Sequence, residues 1–299
     1  MRIPTSGKTG QKWGTPSRLK ILTKIEETRA ASRGARQIGK RLGFVPTMGA
    51  LHEGHLSLVR AARASCDVVA ASIFVNPTQF GPKEDLAKYP RSFDRDCELL
   101  ERERVEFLFA PSVEEMYPPG AVTWVTVEEL SSKLDGLSRP GHFRGVTTVV
   151  SKLFHIVDPD LAFFGQKDAA QLAVIRRMVR DLNLPVQIVA CPIVREPDGL
   201  AMSSRNAYLD PEQRQQALVL HRSLMRVGQL VDEGERNAAK LLEAGRAEFS
   251  REPLVRLDYF EIVNPDTLDS VADVSGGELA AVAAYVGSTR LIDNIVLRG

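Results

Sequence analysis

At 299 residues the chain is long for one domain and comfortable for two. Hydrophobic residues at 43% and charged residues at 26% describe an ordinary globular protein, and a net charge of +1 gives no overall field for nucleic acid or a membrane surface. Any anion site must be local. No apolar stretch reaches the roughly 18–20 residues that cross a bilayer. The three cysteines (Cys66, Cys97, Cys191) are scattered without Cys-x-x-Cys spacing, which argues against a disulfide framework or zinc ribbon and for a reducing compartment.

The first 24 residues hold no acid and carry Arg2, Lys8, Lys12, Arg18, Lys20 and Lys24, without the apolar centre of a secretory signal. They read as a disordered basic tail, a targeting peptide or nucleic-acid arm being the alternatives. Leu42, Phe44 and Val45 then form a short buried strand, and Leu56, Leu58, Val59 and Ala62 recur at helical spacing. Between them lies Pro46-Thr47-Met48-Gly49-Ala50-Leu51-His52-Glu53-Gly54-His55. A strand-to-helix turn presents unpaired N–H groups and the positive end of a helix dipole, which suit an anion such as phosphate. His52 and His55, three apart, can face one cavity if the helix begins near Gly54, and Gly49 and Gly54 let a ligand approach the backbone. A metal pair assisted by Glu53, or a hydrogen-bonded core histidine, are the competing readings; the third ligand of a His-Glu-x-x-His zinc site is missing.

Further on, 68–75 reads as a strand covered on both faces, 92–104 as a helix, 107–109 as a short strand, and 122–127 alternates as an edge strand would. A helix at 146–157, a strand at 161–164, a helix at 169–182 and a strand at 186–190 continue the alternation. The pattern predicts an α/β fold, a Rossmann-like parallel sheet domain whose ligands sit at the carboxyl ends of its strands. After Ile193 the pattern changes. Asp210-Pro211-Glu212-Gln213 is a helix start, with Asp as cap, Pro at the first position and Gln at the third. The stripe Ala217, Leu220, Leu224, Val227, Val231 reads as core packing, followed by a helix at 237–249 and strands at 257–263, 279–285 and 291–297. The expected division is an extension at 1–18, the sheet domain at 19–193, and a smaller α+β C-terminal domain at 194–299 that closes over the first as a lid.

Four further clusters fall in loops, mostly just after strands: Asn76-Pro77-Thr78-Gln79-Phe80-Gly81, Gly165-Gln166-Lys167-Asp168-Ala169-Ala170-Gln171, Val194-Arg195-Glu196 and Met202-Ser203-Ser204-Arg205-Asn206. Singly each is ordinary: turn punctuation, a solvated pair, a polar loop. A lysine at a helix start opposes the dipole and so invites an anionic partner. Polar side chains at the ends of separate strands converge on one cleft in open α/β sheets, and that joint placement gives the clusters weight.

The turn ending in His52-Glu53-Gly54-His55 resembles the His-x-Gly-His signature of the nucleotidyltransferase superfamily related to class I aminoacyl-tRNA synthetases, and Met202-Ser203-Ser204-Arg205-Asn206 resembles a variant of its second signature. Together with Phe74-Val75-Asn76-Pro77-Thr78-Gln79-Phe80, Tyr89-Pro90-Arg91 and Phe163-Phe164-Gly165-Gln166-Lys167-Asp168, the resemblance is to the pantothenate synthetase (pantoate–β-alanine ligase) family, over about residues 20 to 299. It implies that pantoate and ATP give pantoyl-adenylate and pyrophosphate, after which β-alanine displaces AMP, in a cytoplasmic homodimer with magnesium accompanying ATP. By the same resemblance His52, His55, Lys167 and Arg205 are catalytic, with His55 the candidate proton donor. Met48, Gly165, Asp168, Val194, Met202, Ser203 and Ser204 join them around ATP. Gln79 and Gln171 hold pantoate, Met48 and Phe74 wall its gem-dimethyl carbon, and Asn76, Tyr89, Arg139 and His142 fall at matching positions near the cleft. The residue chemistry agrees: a carboxylate nucleophile needs no strong base, so positioning and charge stabilisation dominate.

One departure concerns magnesium. The acidic stretch after Tyr-Pro-Arg reads Ser92-Phe93-Asp94-Arg95-Asp96, with Arg95 interrupting it, which leaves the metal's protein ligands open and its coordination mainly to phosphate and water. Three other functions compete: another nucleotidyltransferase with a phosphorylated acceptor, against which the neutral Gln79 and Gln171 argue; a zinc hydrolase using His52, Glu53 and His55; and an RNA-binding module using the basic tail, against which the near-zero net charge weighs.

Overall fold

The computed structural model describes residues 18–82 and 84–298, so most of the basic extension, residues 1–17, lies outside the described residues. In chain order the first region runs β1 (Lys20–Leu22), α1 (Ile25–Gln37), β2 (Leu42–Thr47), α2 (Glu53–Ser65), β3 (Val68–Ile73), α3 (Phe93–Arg102), β4 (Phe107–Phe109), the single turns α4 (Val113–Met116) and α5 (Asp135–Ser138), α6 (His142–Val157), β5 (Leu161–Gly165), α7 (Ala169–Asp181) and β6 (Gln187–Cys191). The strands make one parallel sheet in the order β1-β4-β3-β2-β5-β6. Strand alternation divides its side chains between two cores. Phe44, Val68, Ala70, Phe107, Phe109 and Phe164 face α1, α6 and α7. Val45, Val69, Ala71, Leu108 and Phe163 face α2 and α3. This two-sided burial is why these strands read as continuous apolar runs.

Two expectations need correction. Residues 20–22, inside the acid-free start, form β1 and pair with 107–109, with Leu22 buried. Three residues, the first a lysine, are too few to show an alternation; the partner strand makes the strand. Residues 122–127 form no strand. The N–H of Val125 donates to Thr148 Oγ1 at 3.0 Å and its carbonyl accepts from Thr147 Oγ1 at 2.6 Å, so hydroxyls on α6 replace a neighbouring strand.

The second region holds α8 (Pro211–Ala217), α9 (Val219–Asp232), α10 (Ala238–Ala247) and an antiparallel sheet of β7 (Val255–Val263), β8 (Leu279–Val286) and β9 (Thr289–Val296) in that order. The expected cap is present: Gln213 N–H donates to Asp210 Oδ1 at 2.8 Å, and Asp210 N–H to Gln213 Oε1 at 3.3 Å. The apolar stripe is shared by two helices, broken at Leu218. Leu220, Leu224, Val227 and Val231 bury against Phe260, Val282 and Ala284. The smaller sheet also enters the first region's core, where Val263, Leu268, Leu279 and Ala281 pack. Ion pairs follow the same seam: Arg290 bonds Asp135 at 2.7 Å and Asp258 at 2.9 Å, and Lys133 bonds Asp269 at 2.6 Å.

Candidate active site

The chain order reverses between β2 and β5, the switch point where an open α/β sheet leaves a crevice. The histidine turn follows β2, and Lys167 follows β5. Gly49 (φ +83°) and Ala50 (φ +51°) both take the left-handed backbone, a cost of about 1–2 kcal/mol at alanine. Asp96 offsets it. This buried side chain accepts from Ala50 N at 2.8 Å, Leu51 N at 2.9 Å and Ser92 Oγ at 3.1 Å. Its oxygens are therefore committed to the turn, and among the described residues no three His, Cys, Asp or Glu side chains converge as a metal site.

His52 stands just before α2 and His55 in its first turn, with ring centres 4.1 Å apart. His52 lies so close over the helix start that a Cβ on Gly54 would come within 2.9 Å of its ring, which only glycine avoids. His55 Nδ1 accepts from the His52 backbone N–H at 3.3 Å, so in the neutral ring Nε2 carries the proton and is the free donor. Both rings are neutral at pH 7. Burial, then the Lys167 ammonium, lowers His52 to about 4, and burial, His52 and Lys167 lower His55 to about 3. The charge on Lys167 acts on both rings, so the turn after β5 faces the turn after β2.

After β3, Gln79 Nε2 donates to Met48 Sδ at 3.1 Å, and Asn76 Nδ2 donates to Gln79 Oε1 and to Gly145 O, both at 3.1 Å. Asn76 Oδ1 accepts from Tyr117 OH at 3.0 Å, and the Tyr117 ring lies 6.3 Å from that of Phe74. Asn76 is thus buried and fully bonded within the protein, and it fixes Gln79. His142 Nδ1 donates to Gln79 O at 2.8 Å while its Nε2 accepts from Arg139 at 3.0 Å. Burial and the Arg139 charge hold His142 down at about 4.

Lys167, Asp168, Gln171, Ser203 and Arg205 line one cleft of about 1110 Å³, which Glu84, Asp85, Arg139, His142 and Arg290 also enter. Met48, Phe74, Gln79, His52 and His55 are not on that wall. Met202 N–H donates to Val194 O at 3.0 Å and Glu196 N–H to Leu200 O at 2.8 Å, a narrow hairpin that delivers Ser203 to the cleft, while Val194, Met202 and Ser204 are not on its wall. Gly165 ends β5 one residue before the turn that carries Lys167. Arg205 has a partner the sequence did not suggest: both prongs bond Asp85, at 2.9 and 3.0 Å. Burial opposes the Asp85 charge, but Arg205 outweighs it and holds the carboxyl below its usual range. Tyr89 OH and Ser204 Oγ lie 3.4 Å apart, and Tyr208 OH donates to Lys88 O at 3.1 Å, so the Arg205 loop touches the sheet domain along 85–89.

The chain as a whole is similar to known proteins. The chain matches the family described as pantoate-beta-alanine ligase over residues 20–296. It belongs to that family. Pantothenate synthetase of Koribacter versatilis is 62% identical over 280 residues, spanning 94% of this chain and 96% of that protein. That of Thermotoga neapolitana is 59% identical, spanning 93% and 100%. A crystal structure of pantothenate synthetase from Thermus thermophilus superposes with a TM-score of 0.90 at 48% identity, covering 94% of this chain and 100% of the other. The Francisella tularensis pantoate-beta-alanine ligase, solved with beta-gamma ATP and beta-alanine, gives 0.77 at 33% identity, covering 93% and 97%. The ligase therefore binds ATP and joins pantoate to β-alanine. The zinc-hydrolase and RNA-module readings are set aside. Among the described residues no helix is long and apolar enough to cross a membrane.

Proposed function

We propose that ligation runs in two steps through pantoyl-adenylate held in the cleft. The pantoate carboxylate attacks the α-phosphorus of ATP and expels pyrophosphate; the β-alanine amine then attacks the acyl carbon and expels AMP. The observation that carries this reading is the meeting of Lys167, Ser203 and Arg205 in one cleft, with two neutral histidines within the field of Lys167. Lys167 and Arg205 would stabilise charge on the phosphates. His52 and His55 would donate N–H bonds without bringing a charge, His55 through Nε2, and Ser203 and Ser204 would bond phosphate oxygens. Met48, Gly165, Asp168, Val194 and Met202 would enclose the nucleotide. Gln79 and Gln171 would take the hydroxyls and carboxylate of pantoate, with Met48 and Phe74 against its methyls and Asn76 acting through Gln79. Neutral amides donate and accept without adding charge to an anionic complex.

The same reading places magnesium on the ATP phosphates with phosphate and water as its ligands. It divides the chain at 193/194, the smaller domain closing as a lid that keeps water from the adenylate. It further takes the chain to be a cytoplasmic homodimer. The ATP and β-alanine of the Francisella complex support the substrate assignment here. The decisive experiment is exchange of labelled pyrophosphate into ATP. Exchange that requires pantoate but not β-alanine is expected; exchange strictly dependent on β-alanine would remove the separate adenylate.

A further inference from the structure

Asn294 lies on β9 in the smaller sheet, 127 residues from Lys167 in sequence. Its side chain is buried at 3% exposure. Nδ2 donates to Gln166 O at 3.0 Å and to Lys167 O at 2.9 Å, and Oδ1 faces Gln166 Nε2 at 3.4 Å. Both amide hydrogens are therefore spent on consecutive carbonyls of the turn between β5 and α7. The preceding residue reaches the other phosphate loop. Asp293, also buried, accepts both prongs of Arg195 at 2.6 and 2.9 Å and the Asn294 N–H at 2.8 Å. Arg195 also donates to Gly199 O at 3.1 Å, inside the hairpin that runs into Met202 and Ser203.

A lysine ends in a flexible four-carbon chain, so the fold controls its ammonium only by fixing where the backbone starts and which way Cα–Cβ points. We propose that Asn294 is a positioning residue for Lys167: by clamping the carbonyls of Gln166 and Lys167 to β9, it sets the lysine in register with the serine and arginine loop that Asp293 holds through Arg195. The inference rests on the proposed role of Lys167 at the phosphates. A misplacement of about 1 Å far from the reacting atoms costs up to roughly 100-fold in rate, and partial loosening of one turn belongs nearer tenfold.

A double-mutant cycle in the full-length enzyme tests it, reading kcat and KM of pantoate-dependent pyrophosphate exchange alongside thermal unfolding. Asn294→Ala should lower kcat about tenfold with KM for pantoate unchanged. In the Lys167→Ala background the same substitution should change kcat by less than about twofold, because nothing remains to be positioned. An equal loss in both backgrounds, or one that follows the folded fraction, would overturn the proposal. A fully active Lys167→Ala enzyme would instead overturn the role of Lys167 and the positioning with it. Should Asn294→Ala not fold, Asn294→Ser keeps one donor in a smaller side chain and should lower kcat by about three- to tenfold; a folded serine variant with full kcat would end the proposal.

Discussion

A neutral imidazole offers a phosphate a hydrogen bond without the desolvation cost of burying a cation, and His52 and His55 are held in that form by burial and by Lys167. Removing one preorganised donor to developing charge typically costs about 3–4 kcal/mol, or roughly 100- to 1000-fold. Lys167→Ala, His52→Ala and His55→Ala should each lose exchange activity on that order while unfolding cooperatively near the parent temperature; near-full activity would remove the residue from the reaction. His142 acts on stability instead. Unfolded histidine titrates near 6.5 and the folded one at about 4, so between these values only the unfolded chain takes up the proton. Stability is untouched above 6.5 and falls as pH drops towards 4, by up to about 3 kcal/mol from this group. His52 and His55 act in the same direction. His142→Gln should flatten unfolding free energy against pH in that window, and an unchanged slope would place the loss elsewhere. The histidines and Lys167 were legible because their turns follow apolar strands, and the serines because their polar loop leads into the Asp210-capped helix. Asp96, Asp85 and Asn294 were not: each acts on a loop at least 45 residues away, and no local pattern marks such a partner.

At the scale of elements, the long buried strands and helices were read closely, since burial on both faces demands apolar runs that stand out. β1 and α1 escaped: one is three residues long, and the other, Ile-Glu-Glu-Thr-Arg-Ala-Ala-Ser-Arg-Gly-Ala-Arg-Gln, carries too few apolar residues to show a face. Residues 122–127 misled in the opposite sense, because Thr147 and Thr148 on α6 satisfy an extended backbone as a strand would. The packing of α6 also decides the loop proposed to hold pantoate. A Cβ on Gly145 would lie 2.5 Å from Thr78 O and 2.7 Å from Gln79 N, contacts that backbone cannot yield without moving. Gly145→Ala should therefore raise KM for pantoate about tenfold or more, leaving KM for ATP within about twofold. Equal effects on both substrates would show that the loop does not discriminate between them.

For the whole molecule, side chains of the smaller domain packed into the first region's core join the two regions. Burying one side chain the size of Val263, Leu268 or Leu279 contributes about 1.5–3 kcal/mol, and these three span the seam. The proposed homodimer is tested by light scattering, which at micromolar concentration should give about twice 33.0 kDa. Val122 and Trp124 remain exposed, at 83% and 43%, and offer one apolar face for it. Trp124→Asp should shift the mass towards the monomer; an unchanged dimer would place the interface elsewhere.

The Asp85–Arg205 pair changes what nucleotide binding means. A guanidinium whose Nε and Nη2 edge is held by a carboxylate can offer that two-pronged edge to a phosphate only by trading one anion for another. If ATP takes that edge in the proposed reading, it enters by ion exchange, with Asp85 as the resident counter-ion. The arginine stays neutralised throughout, so this contact releases few mobile salt ions and contributes little to the salt sensitivity of affinity. The released carboxylate, left among phosphates, then repels them and favours the return of the pair when pyrophosphate and AMP leave.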